Sequence, residues 1–280
     1  MLSILIPTYN YNVYPLACQL EQQARDANIV FEIICFDDGS KSQLNSKNNS
    51  INSLNNCSFN ELSINIGRSA IRNLLGKNAK YETLLFIDAG TLPKNDTFIK
   101  NYLSLISKEV VSGGMTHLKK EPEAKYKLRW IYTKKRESKT FCSSNFMIKK
   151  QTFLNFPFDE TLKQYGYEDV LFFETLKTNN IDIYSFNNPV VHECDDDANT
   201  FLIKTEKAIC NLKNLIKQNK LNKNQSTIIK YYLYIKKLRI KNIIGKLFKL
   251  SKPLLSKNLR SKHASLLFYD AYRLGYLCSL

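Results

Sequence analysis

Apolar and polar positions alternate in a regular way over the first 115 residues. Ile4-Leu5-Ile6, Ile33-Ile34-Cys35-Phe36 and Leu84-Leu85-Phe86-Ile87 are short apolar runs that end on polar or acidic tips. The tips are Pro7-Thr8-Tyr9-Asn10, Asp37-Asp38-Gly39-Ser40 and Asp88-Ala89-Gly90. Runs of this kind read as buried parallel strands, and in open α/β sheets ligands bind at the carboxyl ends of the strands. The pattern predicts strands over 2–8, 30–36, 59–64, 82–88 and 109–115. Helices are predicted over 15–27 and 67–80, with another starting near Lys94 or Asn95, while 41–58 reads as a surface helix or loop. Strand–helix alternation predicts an α/β fold with a parallel-dominated sheet.

Beyond residue 115 the pattern changes. Residues 117–139 are rich in Lys, Arg and Glu and read as a mobile connection. A strand over 141–149, a turn at 156–160, a helix over 168–178 and short strands at 181–186 and 190–192 follow. The acids at 193 and 195–197 read as a loop and a helix cap. From about 197 the periodicity is helical, with interruptions predicted at Gly245 and Pro253.

Charge marks a boundary. The net charge is +16. Residues 201–280 hold 18 of the 41 Lys and Arg but only two of the 25 acids, so the first 200, with 23 of each, are neutral. The expected organisation is a domain over 1–200 and a basic helical region over 201–280. The seven cysteines form no CxxC pair and are odd in number, which fits reduced thiols in a cytoplasmic setting. No apolar run approaches the roughly 20 residues of a membrane span. The start, which enters a strand at once, does not read as a signal peptide.

Certain residue types then point to chemistry. Thr8, Tyr9 and Asn10 offer a hydroxyl, an aromatic face and an amide, and Asp37 and Asp38 add acceptors. Together they suit a base and a ribose. Arg68 and Arg72 lie one turn apart at a predicted helix start, which suits phosphate, although Asn65 also reads as a helix cap and the arginines as solvated. Glu168 and Asp169 open the next helix, where the dipole by itself favours acids. There is no GxGxxG after the first strand and no GxxxxGK[ST], which argues against dinucleotide and P-loop sites. A nucleotidyltransferase would need a glycine- and lysine-rich triphosphate loop, which is also missing.

Five motifs occur in order: Ile6-Pro7-Thr8-Tyr9-Asn10, Asp37-Asp38-Gly39-Ser40, Asn65-x-Gly67-x4-Arg72-Asn73, Phe86-Ile87-Asp88-Ala89-Gly90 and Gly166-Tyr167-Glu168-Asp169. Over residues 1–195 the chain resembles family-2 glycosyltransferases of the GT-A fold, a Rossmann-like mixed sheet flanked by helices. The resemblance implies inverting transfer of a hexosyl or N-acetylhexosaminyl group, as in polysaccharide biosynthesis. The donor would be a nucleotide-sugar, often UDP-linked, and the acceptor a hydroxyl of a glycan or lipid-linked glycan. Mn²⁺ or Mg²⁺ would assist.

The resemblance implies that Pro7, Thr8, Tyr9, Asn10, Asp37 and Asp38 line the nucleoside pocket, with Tyr9 near the base. Gly67, Arg68 and Arg72 would lie near the donor or brace the acidic tips. Asp88, Ala89 and Gly90 occupy the metal motif, whose second acid is replaced by Gly90. Asp88 and His192 would be the metal ligands. Asp169, with Glu168 beside it, would be the general base. Gly90 also leaves open a non-catalytic nucleotide-sugar- or glycan-binding protein. Arg129-Trp130 reads as a fragment of an acceptor-side loop.

In the tail, residues 204–262 set Lys and Arg among apolar residues. Over 236–250, Ile240, Ile243, Ile244, Leu247 and Leu250 share a helical side, with Lys241, Lys246 and Lys249 mainly on others. Two readings remain open: a peripheral contact with an anionic membrane surface on the cytoplasmic side, and a helical appendage with its apolar side packed and its basic side solvated. No nucleic-acid motif accompanies the charge.

Overall fold

The computed structural model describes residues 1–163, 165–193, 196–221 and 226–280. Cys194 and Asp195, read above as a thiol and a loop acid, lie outside the described residues. In chain order the first half holds β1 (Leu2–Thr8), α1 (Tyr14–Asp26), β2 (Phe31–Asp37), α2 (Asn45–Asn48), β3 (Cys57–Glu61), α3 (Arg68–Asn78), β4 (Thr83–Ile87), β5 (Thr91–Pro93), α4 (Phe98–Leu103), β6 (Val110–Ser112), β7 (Met115–His117) and α5 (Lys127–Lys135). Then come β8 (Asn145–Lys149), α6 (Lys150–Asn155), α7 (Glu168–Thr178), β9 (Ile183–Ser185), β10 (Val190–His192), α8 (Ala198–Lys217), α9 (Thr227–Lys237), α10 (Lys241–Leu259) and α11 (Leu266–Ser279).

Two compact units divide these elements. The first comprises Met1–His117, Arg136–Lys163 and Glu168–Glu193. It is built on a seven-stranded mixed sheet of order β3-β2-β1-β4-β8-β6-β9, in which β8 runs antiparallel to β4 and β6. A smaller sheet has the order β5-β10-β7. Period-two alternation splits the central strands between two cores. Ile4, Ile6, Ile33, Cys35, Leu85 and Ile87 pack with Leu16, Ala17 and Leu20 of α1 on one side. Leu5, Ile34, Phe36, Leu84 and Phe86 pack with α3, α6 and α7 on the other. A sheet covered on both faces has strands that are apolar at every position, and this is why the runs are continuous.

The second unit comprises Leu118–Lys135, Gln164–Tyr167 and Cys194–Leu280. Its core joins Leu128 of α5 to Phe201 and Leu202 of α8, Phe248 and Leu259 of α10, and Tyr269 and Tyr272 of α11. Asp197 caps α8 by accepting from the Thr200 N–H at 2.7 Å.

Four expectations need correction. The strand read over 109–115 is two strands in different sheets, because Asn145 donates to the carbonyls of Gly114 and Asn188 and turns the chain between them. The helix read from Lys94 or Asn95 starts at Phe98, since 91–93 forms β5 and the Lys94 N–H is bonded to the Pro189 carbonyl. The connection over 117–139 contains α5, whose Leu128, Arg129 and Trp130 are buried. Arg129 lies over the Phe201 ring and Trp130 donates to the Leu118 carbonyl, so this pair is structural in the second unit. Finally, Gly245 and Pro253 do not interrupt the tail, because both lie inside α10. A Cβ on Gly245 would stand 2.9 Å from the Cys278 carbonyl oxygen, so glycine permits the close approach of α11. The carbonyl that Pro253 cannot serve belongs to exposed Lys249, within reach of water.

Phe146 stacks on Phe86 at 4.9 Å and meets Phe172 and Phe173 at 5.6 Å. Phe146→Ala should destabilise the chain by about 3–5 kcal/mol, measured as a lower denaturation midpoint in urea.

Candidate active site at the carboxyl edge of the sheet

The parallel registers Thr8↔Asp37 and Leu5↔Phe86 bring the three tips to one edge. Asp37 closes its own turn, accepting from the Ser40 N–H at 2.8 Å and the Ser40 hydroxyl at 2.7 Å. Asp38 accepts from the Ile66 N–H at 2.7 Å and the Gly67 N–H at 3.0 Å, so it holds the entry to α3. Both carboxylates are buried. Burial raises the Asp38 carboxyl, and these two hydrogen bonds only partly offset it. Asn10 accepts from the Ser42 hydroxyl at 2.7 Å, while Tyr9 is 58% exposed with its ring available for stacking.

The third tip is built around Asp88. Its Oδ1 accepts from Nη2 of Arg72, its Oδ2 accepts from the Ser144 hydroxyl at 2.8 Å, and an Arg68 nitrogen stands 3.9 Å from Oδ2. Burial opposes ionisation of Asp88, but Arg72, Arg68 and Ser144 outweigh it and hold the carboxyl below its ordinary range. Arg72 is itself only 2% exposed. Arg68 reaches from Asp88 to Glu168, with Nε to Oε1 at 2.7 Å. Asp169 follows at the start of α7 and accepts from the Val170 N–H at 2.7 Å. Burial and then the Glu168 charge push its carboxyl up to about 7, against the pull of Arg68 and Arg72.

Thus α3, β4, the segment before β8 and the start of α7 place two arginines and three carboxylates together. Ser144 belongs to this group although nothing in its local sequence marks it. The strand read over 141–149 took it in as a strand position, whereas β8 begins only at Asn145 and leaves Ser144 in the segment that approaches it. Two buried polar atoms here, Thr8 Oγ1 and Arg72 Nε, have no hydrogen-bond partner among the described residues. Buried polar groups of this kind are costly unless something satisfies them.

The metal reading fits less well. Gly90 offers no side-chain ligand, and both Asp88 oxygens are engaged by Arg72 and Ser144. His192 lies in β10, in register with Thr91 of β5 and His117 of β7. Among the described residues no group of three His, Cys, Asp or Glu side chains is placed to hold a metal ion. The Tyr11 hydroxyl instead donates to Glu193, next to His192.

No protein-family model matches the chain, nor does any curated protein sequence. Solved structures share its architecture. One is Staphylococcus aureus TarS 1–349, with a TM-score of 0.55 and 19% identity over 98% of this chain and 90% of that one. The same protein in complex with UDP-GlcNAc gives 0.52 and 20%, with the same coverage. The mannosyltransferase PcManGT from Pyrobaculum calidifontis, in complex with GDP-Man and Mn²⁺, gives 0.52 and 13% over 77% of this chain and 64% of that one. The chain therefore has the mixed α/β fold of GT-A glycosyltransferases, with a helical C-terminal region.

Replacing Arg72 by Met would leave Asp88 as a part-buried anion without its main partner, at a cost of about 3 kcal/mol or more. Because the Asp88 carboxyl is lowered in the folded chain, its stabilisation is present above the ordinary carboxylate range and is lost as pH falls through the depressed value. Acid titrations followed by circular dichroism should show that step in the parent protein and a smaller one in Arg72→Met.

Proposed function

We propose that this chain is an inverting glycosyltransferase. It moves a sugar from a nucleotide-sugar donor, UDP-linked, to a hydroxyl of a glycan or lipid-linked glycan. The observation that carries this reading is Asp169: a carboxylate with a raised proton affinity at the ligand-binding edge of a GT-A fold, beside Glu168 and two arginines. A sugar hydroxyl is a poor nucleophile, so it needs a base as it attacks. In a single displacement the acceptor oxygen bonds to the anomeric carbon while the bond to the diphosphate breaks. Asp169 takes the acceptor proton, and the nucleoside diphosphate leaves with the bonding electrons. No covalent enzyme intermediate is needed.

Arg68, which is 41% exposed at its side chain, is the cation placed to meet the charge that develops on the diphosphate, with Arg72 fixing Asp88 behind it. Tyr9 stacks on the base, and the Thr8 hydroxyl takes a donor contact at the strand tip. Because no group of three His, Cys, Asp or Glu side chains among the described residues is placed to hold a metal ion, no step is assigned to Mn²⁺ or Mg²⁺. Gly90 also favours a second reading, a non-catalytic nucleotide-sugar-binding protein, which differs by showing no transfer.

Asp169→Asn should lower kcat by about 10²–10⁴-fold while changing the dissociation constant for a UDP-sugar by less than about threefold. Unchanged transfer in that variant would refute the general-base assignment. The base must be ionised, so kcat/KM should rise with pH through about 7 and then level off. Glu168→Gln removes a charge that raises Asp169 and should move this rise to lower pH.

Among the described residues a Cβ at position 90 would meet only the Tyr11 ring, at 3.9 Å, so Gly90→Asp should be accommodated without loss of fold. Thermal-shift titration with UDP should show a response to Mn²⁺ in Gly90→Asp that is larger than in the parent chain.

A further inference from the structure

Helix α10 has a buried side and, opposite it, an exposed apolar side. Its inner side, formed by Gly245, Phe248, Ser256 and Leu259, is buried, and Phe248 meets Tyr272 of α11 edge-on at 5.2 Å. On the other side Ile243, Leu247, Leu250 and Leu254 recur at i, i+4, i+7 and i+11. At 100° per residue that spacing confines them to about 60° of arc. They are 59%, 58%, 78% and 73% exposed. A helix required only to pack on α11 would carry polar residues there.

The surrounding charge narrows the choice of partner. The helix Lys241–Leu259 contains five lysines and no acid. Lys246 and Lys257 border the stripe and Lys249 lies further round the same flank, all three exposed. Lys252, on the inner half, is paired with Glu206 at 2.8 Å. The only other acid after residue 200, Asp270, faces Arg273 at 3.7 Å. Neither acid of the tail is therefore bridged to Lys246, Lys249 or Lys257, and the tail's own charge beside the stripe is positive.

A second copy of the chain would bring the same positive charge to the contact, which opposes association. Four side chains on one helix also expose a few hundred Å², short of the roughly 800 Å² that each partner contributes to a standard interface. A polyanion such as nucleic acid would use the lysines but gain nothing from the leucines. An anionic bilayer surface uses both, since apolar side chains enter the headgroup–acyl boundary and lysines meet the lipid phosphates. No helix among the described residues is long and apolar enough to cross a membrane, so the contact would lie in the interface plane.

We propose that the outer side of α10 is an interfacial binding surface for anionic lipid, with Ile243, Leu247, Leu250 and Leu254 inserted and Lys246, Lys249 and Lys257 on the headgroups. This inference rests on the tail alone and stands whether or not the chain transfers sugars.

The full chain should co-sediment with vesicles of phosphatidylcholine and phosphatidylglycerol, and about tenfold more weakly or less with phosphatidylcholine alone. The triple variant Leu247→Ser, Leu250→Ser, Leu254→Ser should lose at least about tenfold in binding, and so should Lys246→Glu, Lys249→Glu, Lys257→Glu. Because all six side chains are exposed, both variants should keep the parent's circular dichroism and melting temperature, which separates lost binding from lost fold. Leu250→Trp should give a blue-shifted emission on the anionic vesicles. Failure of the parent chain to bind phosphatidylglycerol vesicles, or equal binding by the leucine variant, would overturn the proposal. So would a dimer, seen by light scattering, that the leucine variant abolishes while no vesicles are bound.

Discussion

One buried guanidinium organises the edge of the main sheet. Arg72 is almost wholly withdrawn from water, and such a charge is tolerated only when paired and hydrogen-bonded. It donates to Asp88 and to the Arg68 carbonyl one turn earlier at 3.0 Å. Asp88 also takes the Ser144 hydroxyl, so α3, the end of β4 and the approach to β8 close on one carboxylate. Arg68, on the same helix, then reaches Glu168 at the start of α7. The carboxyl edge of the sheet is an ion-pair lattice before it is anything else.

That lattice drives two neighbouring carboxyls in opposite directions. Asp88 is held ionised by the arginines, whereas burial and the Glu168 charge push Asp169 up to about 7. Pairs of acids separated in this way assign their own roles, one a fixed charge and the other able to exchange a proton near neutrality. The absence of an acid at position 90 belongs to the same pattern. Asp88 is engaged by Arg72 and stands 3.9 Å from an Arg68 nitrogen, so the cations seen at this tip among the described residues are arginines.

Much of the fold was legible because burial is written into local periodicity. The runs at Ile4-Leu5-Ile6, Ile33-Ile34-Cys35-Phe36 and Leu84-Leu85-Phe86-Ile87 are buried on both faces of one sheet, and the helix at 168–178 and the strand at 190–192 fall where the pattern put them. Legibility failed where a distant contact overrode local preference. Asn145 breaks the strand at 109–115, and the aromatic core around Phe201 and Tyr269 draws the charged segment at 117–139 into a helix. The position of Cys278 explains a glycine that reads as a breaker in isolation.

The sequence by itself determined three parallel strands carrying acidic or polar tips to one edge, and a basic, acid-poor tail. Both follow from residue order alone, through strand burial and summed charge. Only the tertiary structure decided what the acids do. Arg68 and Glu168 are 100 residues apart in the chain, and Asp38 meets Gly67 across 29, so no local pattern could show whether these carboxylates face a ligand or the chain's own donors. The same holds for α10. Periodicity put its leucines on a helical side, but only the packing of Phe248 and Gly245 against α11 showed that the side holding Leu247 and Leu250 is the one left in water.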